Sequence, residues 1–190
     1  MLSAKSVQNI DIFKKHETKE LVLSSNNWDE FSTHISNLGS DPINNKKKGD
    51  VFELLTSLYF INNPIFSSKL NNLWHHSNVP HKVFDSLDLQ RPEIGVDFIA
   101  ESNEGNIWAI QCKYHDDVHK NISYDEVSTF FSITERDVTY QKIRHRIISS
   151  SALEVSKKIS TVHKEKLGFI TYSDFSQLGN EEFKNFHSIL

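Results

Sequence analysis

Hydrophobic and polar positions alternate along this chain with two different periods, and the change of period marks its elements. Residues 1–25 carry little periodicity and read as a loose lead-in. Helical spacing starts with Trp28, Phe31, Ile35 and Leu38, preceded by Asn26 and Asn27 as cap candidates and closed by Gly39. The stretch SDPINNKKK is a polar connector. KGDVFELLTSLYFI follows as a second helix, with Asp50 as its N-cap and Glu53 three residues on as the capping-box partner. Its apolar positions wrap most of the surface, so the helix is expected to be buried. Residues 73–84 fit a short strand and a turn, and 95–101 and 107–114 fit strands with β-branched and aromatic content. Residues 123–133 fit a helix capped by Ser123, 145–150 a strand, 151–160 a helix and 167–172 a last strand. Two helices, a strand hairpin and then alternating helices and strands predict an α/β fold: a central mixed β-sheet flanked by helices.

Composition narrows the classes. The 190 residues suffice for one medium-sized domain, and 13 Phe, 5 Tyr and 3 Trp argue for a packed interior. The single cysteine, Cys112, excludes an internal disulfide and a cysteine-type zinc site. No run of about 18 apolar residues crosses a membrane, and the N-terminus lacks the apolar stretch of a signal peptide. The chain therefore reads as cytoplasmic. Net charge is −4, against the basic balance usual for nucleic-acid binders. The distribution changes that picture. Residues 85–126 hold ten acidic and three basic side chains, whereas 136–166 hold eight basic and three acidic. An acidic centre beside a basic segment suits a metal site next to a phosphate track, although ordinary charge scatter accounts for it equally well.

The two central strands are joined by Asn103-Glu104-Gly105, a three-residue hairpin loop with glycine in the left-handed position. That loop sets Ser102 opposite Asn106, Ile99 opposite Ala109 and Asp97 opposite Gln111, with Lys113 on the same face as Gln111. Val96, Phe98, Ile110 and Cys112 fall on the other face and anchor the sheet. Such a cluster suits phosphodiester hydrolysis. That reaction needs a divalent cation to polarise the phosphate and to make hydroxide from water near neutral pH. Mg²⁺ prefers oxygen and keeps several waters. Asp97 is the natural first ligand, and the Gln111 side-chain carbonyl or the Cys112 backbone carbonyl can add a second oxygen. Lys113 can orient the attacking water or stabilise charge at phosphorus. Glu53, on a buried helix, needs a partner, which a metal or the helix cap provides. Lys46, Lys47, Lys48 and His115 are candidate DNA-backbone contacts. His75, His76 and His81 lack a recognised zinc spacing and read as loop histidines.

GVDF followed by QCK, with the glutamate of KGDVFELL upstream, resembles the PD-(D/E)XK nuclease superfamily in its Mrr-like branch. WDEF, KGDVFE, LWHHSNVP, EIGVDFIAE, WAIQCKYH and ITYSDF together resemble the N-terminal nuclease domain of type ISP restriction-modification enzymes and related predicted helicases. The resemblance implies a restriction-endonuclease-like core over 26–175, with 176–190 a linker towards a translocase domain absent from the chain. It implies a DNA endonuclease with Asp97, Gln111, Lys113 and Glu53 as catalytic and Asp97, Gln111, Glu53 and the Cys112 carbonyl as metal-binding groups. It further implies Mg²⁺ as cofactor with Mn²⁺ as substitute, double-stranded DNA as substrate, and translocase, methyltransferase and target-recognition domains as partners. ATP would be used only by that translocase, since no GxxxxGK[ST] loop occurs here. Val96 stands where the pattern has proline, and Gln111 where it has an acid, which removes a negative charge. The alternative is a degenerate nuclease fold that binds DNA or docks neighbouring domains.

Overall fold

The computed structural model describes residues 15–89, 95–162 and 165–190. The N-terminal part of the expected lead-in, residues 1–14, lies outside them. A five-stranded sheet runs in the order β1 (Leu70–His75), β2 (Phe98–Ser102), β3 (Ile107–Lys113), β4 (Ile143–Ser150), β5 (Leu167–Ile170). β1, β2 and β3 pair antiparallel, and β3, β4 and β5 pair parallel, so β3 is the seam of a mixed sheet. Alternation along β3 divides the core. Trp108, Ile110 and Cys112 pack against α3 (Pro42–Asn62), together with α1 (His16–Leu23), α2 (Trp28–Ser36) and α10 (Asn180–Ile189). Ile107 and Ala109 face the opposite layer, which contains α6 (Tyr124–Thr134) and α8 (Lys157–Val162). The remaining helices are short: α4 (Pro64–Ser67), α5 (His81–Ser86), α7 (Asp137–Lys142) and α9 (Tyr172–Phe175). The α/β class expected from the pattern is the one observed.

The hairpin register is as expected from Phe98 to Glu101, but the alternation breaks at Asp97: its N–H donates to the Ile110 carbonyl, although Ile110 also faces Phe98, and Val96 packs in the layer opposite Phe98, Ile110 and Cys112. Ile99 lies opposite Ala109 and Glu101 opposite Ile107, and Gly105 sits at φ +78°. The Ser102 N–H donates to the Asn106 carbonyl at 2.8 Å. A second glycine matters more for the site. Gly95, at φ +103°, lies against α6, where a Cβ would come within 3.0 Å of Thr129 Cγ2 and 3.2 Å of the Phe130 nitrogen. A side chain here would push the approach to Asp97 off the helix.

Several boundaries differ from expectation. α3 begins at Pro42, not after Asp50: Asp41 Oδ1 accepts from the Ile43 and Asn44 N–H groups, with proline in the first turn. Asp50 is therefore no N-cap. It lies inside the helix and forms an ion pair with Lys15. The NNKKK turns carry no apolar period because two of their lysines meet acids: Lys47 meets Glu17 and Lys48 meets Asp116. The lead-in contains α1, whose Val22 is fully buried. The expected C-terminal linker contains α10, whose Phe183 and Phe186 are fully buried at one-turn spacing. Between 151 and 160 the helix starts only at Lys157, because Ile122 pairs with Val155 in a parallel bridge.

Candidate active site

Asp97 stands one residue before β2, at the open end of the hairpin. Its main chain is fixed on both sides: its N–H donates to the Ile110 carbonyl at 2.9 Å, and its carbonyl accepts from the His76 N–H at 2.9 Å. Its carboxylate is fixed by β3. Oδ2 accepts from the Gln111 amide at 2.8 Å and from the Cys112 backbone N–H at 2.6 Å. Lys113 ends the same strand. Glu53 enters from α3, and its Oε2 lies 3.3 Å from His75 Nε2. Helix and sheet are tied nearby by Thr56 Oγ1 and Ser149 Oγ at 3.0 Å, both buried. Glu53, Asp97, Gln111 and Lys113 thus line one open cleft of about 560 Å³.

The electrostatics of the cleft are unusual. Burial, reinforced by the charge of Glu53, pushes the Asp97 carboxyl up to about 7, outweighing the Cys112 and Gln111 hydrogen bonds and the Lys113 charge. Burial, with Asp50 adding repulsion, pushes Glu53 up to about 7 as well, against the pull of Lys15 and Lys113. Two neighbouring carboxyls that resist ionisation lack enough positive charge, and a divalent cation between them would provide it. The donor set fits a hard ion: two carboxylates, with the Gln111 Oε1 atom and the Cys112 carbonyl as further oxygens. Among the described residues no group of three or more His, Cys, Asp and Glu side chains is assembled for a metal. The Cys112 thiol is buried and pushed upward by burial, so it is an apolar filler, not a nucleophile.

Other candidates sit differently from expectation. Lys48 is almost fully buried and held by both oxygens of Asp116 at 2.8 and 2.7 Å, while Lys47 is engaged by Glu17. Of the three, only Lys46 stands exposed. His115 does not present its ring to solvent. Its Nε2 meets Glu126 Oε1 at 2.7 Å, and its main chain is bonded on both sides to the Ser151 hydroxyl. The basic segment also thins. Arg146 is buried, Lys142 donates to the Ser86 carbonyl, Lys166 donates to the Tyr140 carbonyl, and Lys164 lies outside the described residues. His75, which reads as a loop histidine in the sequence, ends β1 as a buried strand position. Burial falls on the first, fourth and sixth positions of that strand, Leu70, Leu73 and His75, without the strict alternation that would mark it in the sequence.

A mixed sheet with helices on both faces, and a carboxylate hairpin ending in lysine beside a helix glutamate, define a restriction-endonuclease-like nuclease domain. The family model described as restriction endonuclease matches residues 61–187, more than half of the chain, and the chain belongs to that family. The match takes in Asp97, Gln111 and Lys113 and leaves out Glu53. Among solved structures, the ATP-dependent type ISP restriction-modification enzyme LlaBIII bound to DNA is similar, at 22% identity and a TM-score of 0.56. That likeness covers 81% of this chain but 9% of that one, and it shows the fold. A protein of unknown function, AF1548, aligns at 18% identity over 66% of this chain and 64% of its own, with a TM-score of 0.35. No curated protein matches.

Proposed function

We propose that this chain is the DNA-cutting module of a larger, ATP-driven restriction enzyme and hydrolyses phosphodiester bonds of double-stranded DNA with Mg²⁺. The observation that carries the reading is the pair of partly buried carboxyls, Glu53 and Asp97, both raised to about 7, in one cleft with Lys113. Glu53 and Asp97 would hold the ion, with Gln111 Oε1 and the Cys112 carbonyl as its other protein oxygens. The ion would supply polarisation of the phosphate and a water acidic enough to attack near neutral pH. Lys113 provides the donor that stabilises charge as the water oxygen bonds to phosphorus and the P–O ester bond breaks. Lys46 is the remaining lysine of its cluster free to meet the DNA backbone. The similar structure is titled ATP-dependent, of restriction-modification type and DNA-bound. This chain spans 9% of it, which supports translocase, methyltransferase and target-recognition partners outside these residues. No helix among the described residues is long and apolar enough to cross a membrane.

Supercoiled plasmid incubated with the protein and Mg²⁺ or Mn²⁺ is expected to be nicked or linearised. Lys113→Ala should lower the rate about 10²–10³-fold while leaving Mn²⁺ binding in place. Unchanged cutting by that variant, or cutting that survives chelation, overturns the reading. A second expectation concerns pH. Both carboxyls must lose their protons to bind metal. Mg²⁺ is therefore expected to raise the Tm clearly at pH 8, with an increment that shrinks as pH falls through about 7. An increment independent of pH in a thermal scan would count against these ligands. One observation favours the alternative of a DNA-binding or docking module. The Gln111 amide already occupies Asp97 Oδ2, where a third carboxylate would have added charge. DNA binding without any Mn²⁺ binding would select it.

A further inference from the structure

His75 is close to the site yet has no part in the metal chemistry set out above. Its position is fixed by main-chain and ring contacts. It pairs with Phe98 in the β1–β2 ladder, and the next N–H, that of His76, donates to the Asp97 carbonyl at 2.9 Å. The ring stands edge-on to Phe98 at 5.6 Å and lies against His76 at 4.1 Å. It is 8% exposed, so its orientation is not left to solvent.

The hydrogen bonds fix its chemistry. Nδ1 lies 2.7 Å from Ser77 Oγ and accepts the Ser77 backbone N–H at 3.4 Å. A ring nitrogen that accepts from a backbone N–H carries no hydrogen, and in a neutral imidazole the hydrogen then sits on the other nitrogen. That nitrogen, Nε2, faces Glu53 Oε2 at 3.3 Å. Glu53 is a long, rotatable side chain on a helix, and it comes from a different element than Asp97. Without a lateral restraint, its carboxylate would spend much of its time in other rotamers.

We infer that His75, as its Nε2–H tautomer set by Ser77, is a positioning residue that holds Glu53 Oε2 and leaves Oε1 turned to the metal cleft. The inference rests on the metal-dependent reading above. It makes β1 the third element of the site, after the β2–β3 hairpin and α3. Partners of this kind orient metal-binding carboxylates, and their loss typically costs about 10–100-fold in metal affinity.

The test uses the whole chain and Mn²⁺ as probe. His75→Phe keeps a ring against Phe98 and His76 but has no donor, whereas His75→Gln restores an N–H near the Nε2 position. Mn²⁺ titration followed by electron paramagnetic resonance is expected to show binding weakened about 10–100-fold in His75→Phe and close to wild type in His75→Gln. Two-bond ¹H–¹⁵N correlation spectra of the metal-free wild type are expected to show His75 protonated at Nε2. Wild-type affinity in His75→Phe, equal weakness in a folded His75→Gln, or an Nδ1–H tautomer each overturn the proposal. If the wild type itself fails to bind Mn²⁺, the nuclease reading fails instead. The tautomer spectrum, which needs no metal, then still decides whether His75 donates to Glu53.

Discussion

Asp97→Asn is expected to abolish metal-dependent cleavage, by at least about 10³-fold, and to make the metal-free protein more stable at pH 8. The two effects share one origin. The asparagine keeps an oxygen to accept the Cys112 N–H, so the hairpin keeps its register, but the charge that binds the cation is gone. In the wild type the folded carboxyl titrates at about 7 and the unfolded one near 3.8. The folded state therefore binds more protons, and stability falls as pH rises between those values. Above about 7 the whole cost of the buried charge is present. With Glu53 sharing the same strain, relief at one position is worth about 1–3 kcal/mol. Urea unfolding in chelator at pH 8 should show Asp97→Asn above wild type, and the gap should close as pH falls towards 4. A variant less stable than wild type at pH 8 would mean that the Gln111 and Cys112 hydrogen bonds outweigh burial.

Arg146→Ala is expected to destabilise the fold by about 3–5 kcal/mol without touching the cleft. Arg146 is fully buried at the start of the β4–β5 pairing, where its N–H meets the Lys166 carbonyl at 2.6 Å. Its guanidinium bonds Glu135 and the Glu165 carbonyl and lies 5.5 Å from the ring centres of Phe131 and Tyr140. Alanine removes the volume, the hydrogen bonds and the ring contacts together. Methionine keeps most of the volume and should cost less. Equilibrium urea unfolding followed by circular dichroism measures both. A loss below about 1 kcal/mol for alanine would show that the pair contributes no more than an exposed one.

What could be read from the sequence followed the range of the forces involved. The β2–β3 hairpin is local: a glycine loop and alternation set its register from Phe98 to Glu101, and the Asp97 carboxylate meets Gln111 through a side-chain bond beyond the ladder. The sequence pattern places Glu53 on its helix but starts that helix at Asp50, because the lysine run masks the Asp41-Pro42 cap signal. The lysines themselves were legible as charge and not as structure, since Asp116 and Glu17, which hold Lys48 and Lys47, are distant in sequence. His75 and His115 show the same limit. Each looked like a solvated polar residue, and each is buried against a glutamate that only tertiary packing supplies. Arg146 is the extreme case, a fully buried cation in a basic segment whose charge fits a phosphate track or ordinary scatter equally well.

α3 is braced against β4 through Thr56 and Ser149, and this has a consequence for how such a protein is made. A nascent chain that has emerged as far as Lys113 already contains Glu53, Asp97, Gln111 and Lys113, yet β4 is still unsynthesised. The β3 residues that pack on α3 are present in such a chain, but the Thr56–Ser149 contact is not. The brace between the helix that carries Glu53 and the second half of the sheet is thus completed only once β4 has been made.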